Sequence, residues 1–509
     1  MTTAQIGILI AMVVYLVSMM LIGVKVSKRN KTAGDFYLGG RKLGPLVTAM
    51  SAEASDMSSY LLMGLPGLAY LSGLADVGWT AIGLAAGTYL NWLIVAKKLR
   101  RYTEKLGAIT VPEFFSKRYK DEKNLLTLAG ALIIIVFFVP YTASGFAACG
   151  KLFSSLFGAN YYVAMIISAA VIIFYTSMGG FLAASLTDLI QSIIMTAALI
   201  IVLLFALNQA GGAQAALAHV RSLPGYLSFT QTYDPVSGTA QPYSLLTIIS
   251  TLAWGLGYFG MPHILLRFMA IEDEKKLSIS RRVASIWVLI AMGIAVMIGV
   301  AGLGMTKEGL IEPLSGSASE TVIVEISSIL AEHGILAALV AGIVLSGILA
   351  STMSTSDSQL LAASSSVSND ILMRFFHKDM SEKKTLLVSR VTLLVIALIG
   401  ILLAWDPNSS VFGIVSFAWA GFGASFGPVV LLALYWKRSN KAGALAGIFS
   451  GGLMVFVWKF AVRPLGGIWD LYELLPAFLT ALVVNVIVSL LTKAPDQEVL
   501  DTFEQVKAE

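Results

Sequence analysis

Charge is what this sequence has least of. Of its 509 residues only 13% are Asp, Glu, Lys or Arg, against about 25% in an ordinary soluble domain. Cysteine is nearly absent too, and the lone Cys149 excludes an intramolecular disulfide and any multi-cysteine metal centre. The four histidines, at 219, 263, 333 and 377, have no ligand spacing. No basic region precedes the opening apolar run 4–24, whereas Lys25, Lys28, Arg29 and Lys31 follow it. That order argues against a cleaved signal peptide and for a retained first helix with its N-terminus outside. No stretch between the apolar runs is large enough for a catalytic module, and the tail after Lys493 is short and charged, so the reading is not an enzyme and carries no attached signalling domain. The net charge of +5 is no sign of nucleic acid, because the basic residues cluster between hydrophobic segments.

What is present is hydrocarbon-compatible chain: 57% of residues are hydrophobic and mean hydropathy is +0.80. Several runs exceed the roughly 20 apolar residues a helix needs to cross a bilayer. The pattern predicts an all-α polytopic membrane protein with thirteen spans, at about 4–24, 44–73, 78–96, 124–153, 160–178, 181–208, 244–268, 284–305, 336–369, 386–404, 409–435, 442–461 and 471–492. Starting outside, this topology leaves the C-terminus inside and puts about thirty of the 35 Lys and Arg on the cytoplasmic side, in segments including 25–42, 97–123 and 267–282.

Two spans are interrupted alike. The second carries Glu53 and Asp56 and breaks around Ala54 to Ser59, and the seventh breaks around Trp254 to Gly260 with Pro262 beyond. Interrupted spans five apart predict a 5+5 inverted repeat, the pattern of secondary transporters whose sites lie at unwound helices near the midplane. The expected organisation is an N-terminal extra helix and cytoplasmic loop (1–43), a first five-helix repeat (44–208), an extracellular loop (209–243), a second repeat (244–435), two C-terminal helices (436–492) and a cytoplasmic tail (493–509). The loop, rich in Gly, Ser, Thr and Pro, reads as a cover rather than a domain.

Unwinding frees main-chain carbonyls that cannot stay unpaired in hydrocarbon. Around 54–57 such oxygens, with Asp56 nearby, suit a small hard cation such as sodium. The ninth span offers partners in the hydroxyl run 351–358, where Ser354 and Thr355 project about 100° apart. Those hydroxyls either border the ion's cavity or bond back to carbonyls one turn earlier. Ser364, Ser365, Ser366 and Ser368 read mainly as a wet intracellular exit, and Asp357 as reaching the sodium path, pairing with a basic residue or, the preferred reading, lining a water-filled vestibule. Asp188, near the start of the sixth span, either lines the ion exit or caps its helix. Trp254, Tyr258 and Pro262, four apart, share one face if the helix is continuous and can enclose a small apolar group. Tyr141 either faces that cavity or packs. Arg41 is a positive-inside anchor or a gate.

The stretches Tyr37-Leu-Gly-Gly-Arg41, Ser55-Asp-Met-Ser58, Leu61-Leu-Met-Gly-Leu-Pro-Gly67, Gly255-Leu-Gly-Tyr-Phe-Gly260, Pro262-His-Ile-Leu265, Met353-Ser-Thr355 and Trp419-Ala-Gly-Phe-Gly-Ala424 resemble the sodium/solute symporter family, within it the bacterial sodium/proline branch. The resemblance runs from the first helix almost to the C-terminus. It implies a LeuT-like fold, with one extra helix before the repeats and two after, and sodium-coupled uptake of proline across the bacterial cytoplasmic membrane. It implies a sodium site of Ala54, Met57 and Ser351 carbonyls and Ser354 and Thr355 hydroxyls, with Asp56 important for sodium dependence and Asp188 for release. Ser58, Trp254, Tyr258 and Pro262 match substrate-side positions, with Tyr141 a further candidate, and Arg41 and Ser51 match functional positions in the cytoplasmic half. No obligatory protein partner is implied. The chain departs from that branch in having Glu53, Ser59 and Tyr60 where it shows Gly, Gly and Trp. An added carboxylate beside the ion site bears on ion selectivity, and the lost indole on substrate affinity. A symporter of another amino acid or a carboxylate, and a transporter-like sensor, remain the alternative readings.

Overall fold

The computed structural model describes residues 2–27, 32–378 and 380–508; Lys28, Arg29 and Lys31 of the first basic segment lie outside them. Among the described residues ten helices are long and apolar enough to cross a membrane, and an eleventh crossing is made if the bent pair Leu245–Phe259 and Pro262–Ala270, 45° apart, is one span. The remaining two expected stretches are helices of another kind. Chain 45–72 is helical in three pieces, Pro45–Ser59, a π turn Tyr60–Gly64, and Leu65–Ser72. Tyr161–Ser177 is a shorter apolar helix that continues into Gly179–Gln209 through Gly180, whose φ of 64° turns the chain. Exposed side chains such as Leu204, Leu289, Leu453 and Leu491 are large and apolar, while Ser, Thr and Asp are concentrated inside. That is the inverse of a soluble domain and what a hydrocarbon surround requires.

The two interrupted helices exchange neighbours. Leu74–Leu90, which follows the first, packs against the second; Leu277–Lys307, which follows the second, packs against the first. Glycines allow the closest of these approaches. A Cβ on Gly87 would stand 2.4 Å from the Gly255 carbonyl oxygen, and one on Gly255 would stand 2.2 Å from that of Gly83. The pair Gly83 and Gly87 thus lets two backbones touch, as small residues four apart do between membrane helices. Ile335–Ser365 and Tyr161–Gln209 pack on the first broken helix, and Val411–Tyr435 on the second.

One end of the bundle carries the 209–243 segment, more structured than a simple cover. It holds a helix, Ala213–Arg221, and an antiparallel hairpin pairing Gln231–Asp234 with Thr239–Pro242. Tyr226 fastens it: its hydroxyl donates to the Ala69 carbonyl at 2.6 Å, and its own carbonyl accepts from Leu74 N at 2.7 Å. The opposite end gathers the basic segments, and the 97–123 stretch contains a further helix, Val111–Arg118. There the tail is not merely a charged strand: Gln497–Ala508 is an amphipathic helix that buries Val499, Phe503 and Val506, with the Arg118 guanidinium 5.1 Å from the Phe503 ring.

Candidate functional site

The first broken helix opens on Pro45, suited to an N-terminal turn that has no use for its missing N–H. It keeps helical geometry through Met57 and leaves it only at Ser58 (φ 48°, ψ −167°), a narrower break than the expected 54–59. The carbonyls of 54–57 thereby lie at the end of a helical stretch, where intrahelical amides run out. Side chains from other helices take up two of them: Ser354 Oγ donates to Ala54 O at 2.8 Å, and Tyr141 OH to Asp56 O at 3.2 Å. Met57 O accepts from Tyr60 N. Ser354 Oγ also reaches Ser351 O at 3.2 Å, while the Ser351 hydroxyl bonds back to Ile348 O at 2.9 Å. Thr355 Oγ1 is buried with no hydrogen-bond partner among the described residues. Neutral carbonyl and hydroxyl oxygens from two helices meet here, the donor set with which protein can replace the hydration shell of a monovalent cation. Among the described residues no cluster of three His, Cys, Asp or Glu stands ready for a multivalent metal.

Beside it lies a cavity lined by Asp56, Met57, Tyr60, Leu84, Tyr141, Trp254, Val415 and Trp419. Its volume is about 10 Å³, room for about one water and less than an amino acid needs. Tyr258 OH donates to Asp56 Oδ2 at 2.5 Å, joining the two breaks. Trp254 lies near-parallel to Tyr60, with centroids 5.8 Å apart, and Trp419 Nε1 donates to Trp254 O at 2.8 Å. The second helix is not continuous, so the one-face expectation for Trp254, Tyr258 and Pro262 is corrected. Ala253–Phe259 is a 3-10 turn, Pro262 restarts an α-helix, and Pro262 is not among the lining residues. Ser58 is likewise absent from the lining, its Oγ accepting from Tyr60 N at 3.2 Å. Glu53 points elsewhere, its Oε1 accepting from the Trp92 indole at 3.1 Å.

Charged clusters stand on either side of this cavity. Toward the basic end, Arg267 Nε donates to Ser51 Oγ at 3.0 Å, and its Nη2 to Asp188 Oδ2 at 3.1 Å and Ser358 Oγ at 2.6 Å; Ser51 Oγ donates to Asp188 at 2.6 Å. Four helices therefore meet at one buried guanidinium. Asp188 is not a helix cap: it lies inside Tyr161–Gln209, fully buried. Asp357 is no vestibule residue either, being fully buried with Ser358 Oγ 3.1 Å from it. Nor do Ser364, Ser365, Ser366 and Ser368 form a wet exit. All are buried, and each bonds back to a carbonyl three or four residues earlier. Arg41 gives its guanidinium to backbone, at Met269 O (2.6 Å), Ala108 O (2.7 Å) and Thr103 O (3.0 Å), and so caps helix ends. Toward the hairpin end, Lys151 pairs with Glu320 at 2.7 Å, and Glu320 accepts from Ser410 Oγ and from the Val411 and Phe412 amides that start Val411–Tyr435.

Sequence reasoning missed Arg267, Trp92 and the Lys151–Glu320 pair, and gave Trp419 no role beyond its place in a motif. Arg267 was detectable: it sits in Leu-Leu-Arg-Phe-Met, and an arginine within apolar chain marks a functional interior, yet it was counted among the cytoplasmic positive charges.

The model of the sodium:solute symporter family matches residues 36–451. The chain is 43% identical over 487 residues to the high-affinity proline transporter PutP of Bacillus subtilis, covering 95% of this chain and 98% of that one. It is 41% identical over 493 residues to the osmoregulated proline transporter OpuE of the same organism, covering 96% of both. It is 41% identical over 504 residues to the sodium/proline symporter of Escherichia coli, covering 98% and 96%. Among solved structures it resembles a Na+-coupled sialic acid symporter in a substrate-bound outward-open state, with TM-score 0.79, 19% identity and coverage of 96% and 99%. It also resembles MhsT in complex with L-phenylalanine, with TM-score 0.53, 15% identity and coverage of 87% and 98%.

Proposed function

The chain belongs to the sodium:solute symporter family, and on that premise we propose that it takes up L-proline by coupling it to inward movement of sodium. It is a transporter and not an enzyme. The observation that carries the reading is the joint at the first break, where the Ala54 carbonyl meets Ser354 Oγ with the unpartnered Thr355 hydroxyl one residue on. Sodium, a cargo rather than a resident cofactor, takes the carbonyls of Ala54, Met57 and Ser351 and the hydroxyls of Ser354 and Thr355, and Asp56 balances its charge. Proline takes the adjoining cavity between Trp254, Tyr258 and Tyr141, with Ser58 and Pro262 setting the backbone at the two breaks. Because the cavity has room for only about one water, loading requires the aromatic walls to part.

The exchanged packing of the two broken helices supports thirteen spans in a 5+5 inverted repeat, with 45–72 and 161–177 as spans in their own right. The gathering of basic residues at the end opposite the hairpin supports a cytoplasmic-membrane orientation with the N-terminus outside and the C-terminus inside. Alternating access then separates the Arg267 cluster, which includes Ser51 and Asp188, to release cargo inward, and Arg41 holds the helix ends against which it moves. The energetics suffice. One sodium crossing about 100 mV gains roughly 2.3 kcal/mol, and a tenfold gradient adds about 1.4, together supporting roughly several hundred-fold accumulation.

The test is uptake of labelled proline by the purified protein in liposomes. An inward sodium gradient should drive accumulation, and unlabelled proline should compete better than other amino acids or carboxylates. Uptake that followed a proton gradient and ignored sodium would overturn the coupling.

A further inference from the structure

One ring stacked on the cavity wall, without lining the cavity itself, comes from outside the ten helices assigned to the repeats. We propose that Tyr472, in the 463–473 segment between the last two helices, is a positioning residue that sets substrate affinity by holding Trp254. Its ring lies 4.8 Å from Trp254 with the planes 17° apart, closer than Tyr60 at 5.8 Å or Trp419 at 6.4 Å. Its hydroxyl donates to Ser416 O at 2.7 Å, one residue from the lining Val415, and its amide donates to Ser250 Oγ at 2.7 Å. Tyr472 therefore ties Leu245–Leu252, which leads into the second break, to Val411–Tyr435 on the other wall of the cavity.

The segment is built to hold this place. The fully buried Glu473 pairs with Arg463 at 3.0 Å and Lys459 at 3.5 Å, Arg463 also pairs with Asp470 at 2.9 Å, and Trp458 Nε1 donates to Leu471 O at 3.2 Å. An indole fixed by a stacked neighbour gives up less freedom when a solute arrives, so affinity is gained before binding. The C-terminal helix pair thus contributes to recognition of the substrate, a small solute with an apolar ring, while touching none of the oxygens at the first break.

The inference rests on the cavity being the proline site: wild-type uptake reports on that reading, and the ratio of variant to wild type on this one. The experiment compares Tyr472→Leu and Tyr472→Phe in the full-length protein in liposomes, reading proline KM, maximal rate and sodium half-saturation. Tyr472→Leu should raise KM by roughly threefold to tenfold, the range of one aromatic pair, with the other two parameters within about twofold. Tyr472→Phe, which keeps the ring, should restore KM to within about twofold of wild type. In a Trp254→Leu background, Tyr472→Leu should add nothing further, as for residues acting through one another. If Tyr472→Leu does not fold, Tyr472→Met is read in its place. An unchanged KM in the ring-less variant, or an undiminished effect on top of Trp254→Leu, would overturn the proposal.

Discussion

The two broken helices solve the same problem with opposite chemistry. At the first, the chain stays helical to Met57 and leaves through one strained serine, and the freed carbonyls are met by hydroxyls of Ser354 and Tyr141. At the second, the chain tightens into a 3-10 turn between glycines, and neighbours approach its backbone directly: a Cβ on Gly257 would lie 2.0 Å from Trp419 Nε1. One break offers oxygens and a carboxylate, the other an apolar wall with a phenol and an indole, backed by Trp419 from Val411–Tyr435. On the proposed reading, the difference lets a cation and an organic solute bind side by side once the aromatic walls part, since each break supplies what the other lacks. The two breaks touch at one hydrogen bond, Tyr258 to Asp56, which under the proposed function is where the two cargoes would sense each other.

The strongest way to break the comparison is at the joint between the inner halves of the two helices. Replacing Arg267 by Leu leaves Asp188 buried without its cation, and thermal unfolding in detergent should show a loss of about 3–5 kcal/mol. Adding Asp188→Leu should recover most of it; no recovery would mean that the guanidinium holds the helices chiefly through Ser51 and Ser358. Next in size, Ser354→Ala with Thr355→Ala should raise the sodium needed for half-maximal uptake by at least about 150-fold, at about 1.5–3 kcal/mol for each hydroxyl facing a charge. An unchanged sodium dependence would return both hydroxyls to helix packing. Trp254→Phe works on the opposite break and should raise proline KM about threefold, leaving sodium half-saturation alone; parallel movement of both would merge the two sites. A last test, read on stability rather than transport, is Ser58→Gly. Glycine accepts the φ of 48° that costs serine about 1–3 kcal/mol, so the variant should melt a few degrees higher, and a lower melting temperature would show that the Ser58 hydroxyl outweighs the strain.

Apolar length made the helices legible, because a bilayer imposes a minimum that random sequence rarely meets. All thirteen expected stretches fall on helical chain. The breaks were legible as polar or glycine-rich interruptions, and the second within one residue, but where the first begins was not, since the φ of Ser58 alone decides it. Partners distant in sequence escaped notice: Lys151 and Glu320 are 169 positions apart, and neither sits in a pattern of its own. Arg267 was misplaced for a related reason. A charge within a few residues of a helix end reads the same whether it faces water or the interior, and only packing decides. The serines 364–368 show the opposite error, hydroxyl density taken for wetness when each hydroxyl is satisfied by its own helix.

Binding of radiolabelled sodium to the purified protein separates the two breaks without transport in the way. Wild type and Trp254→Phe should bind sodium with affinities within about twofold of each other, while the Ser354→Ala, Thr355→Ala double variant should lose binding across the same range. Equal loss in the Trp254 variant, or retained binding in the double variant, would contradict the assignment of the ion to the first break and the solute to the second.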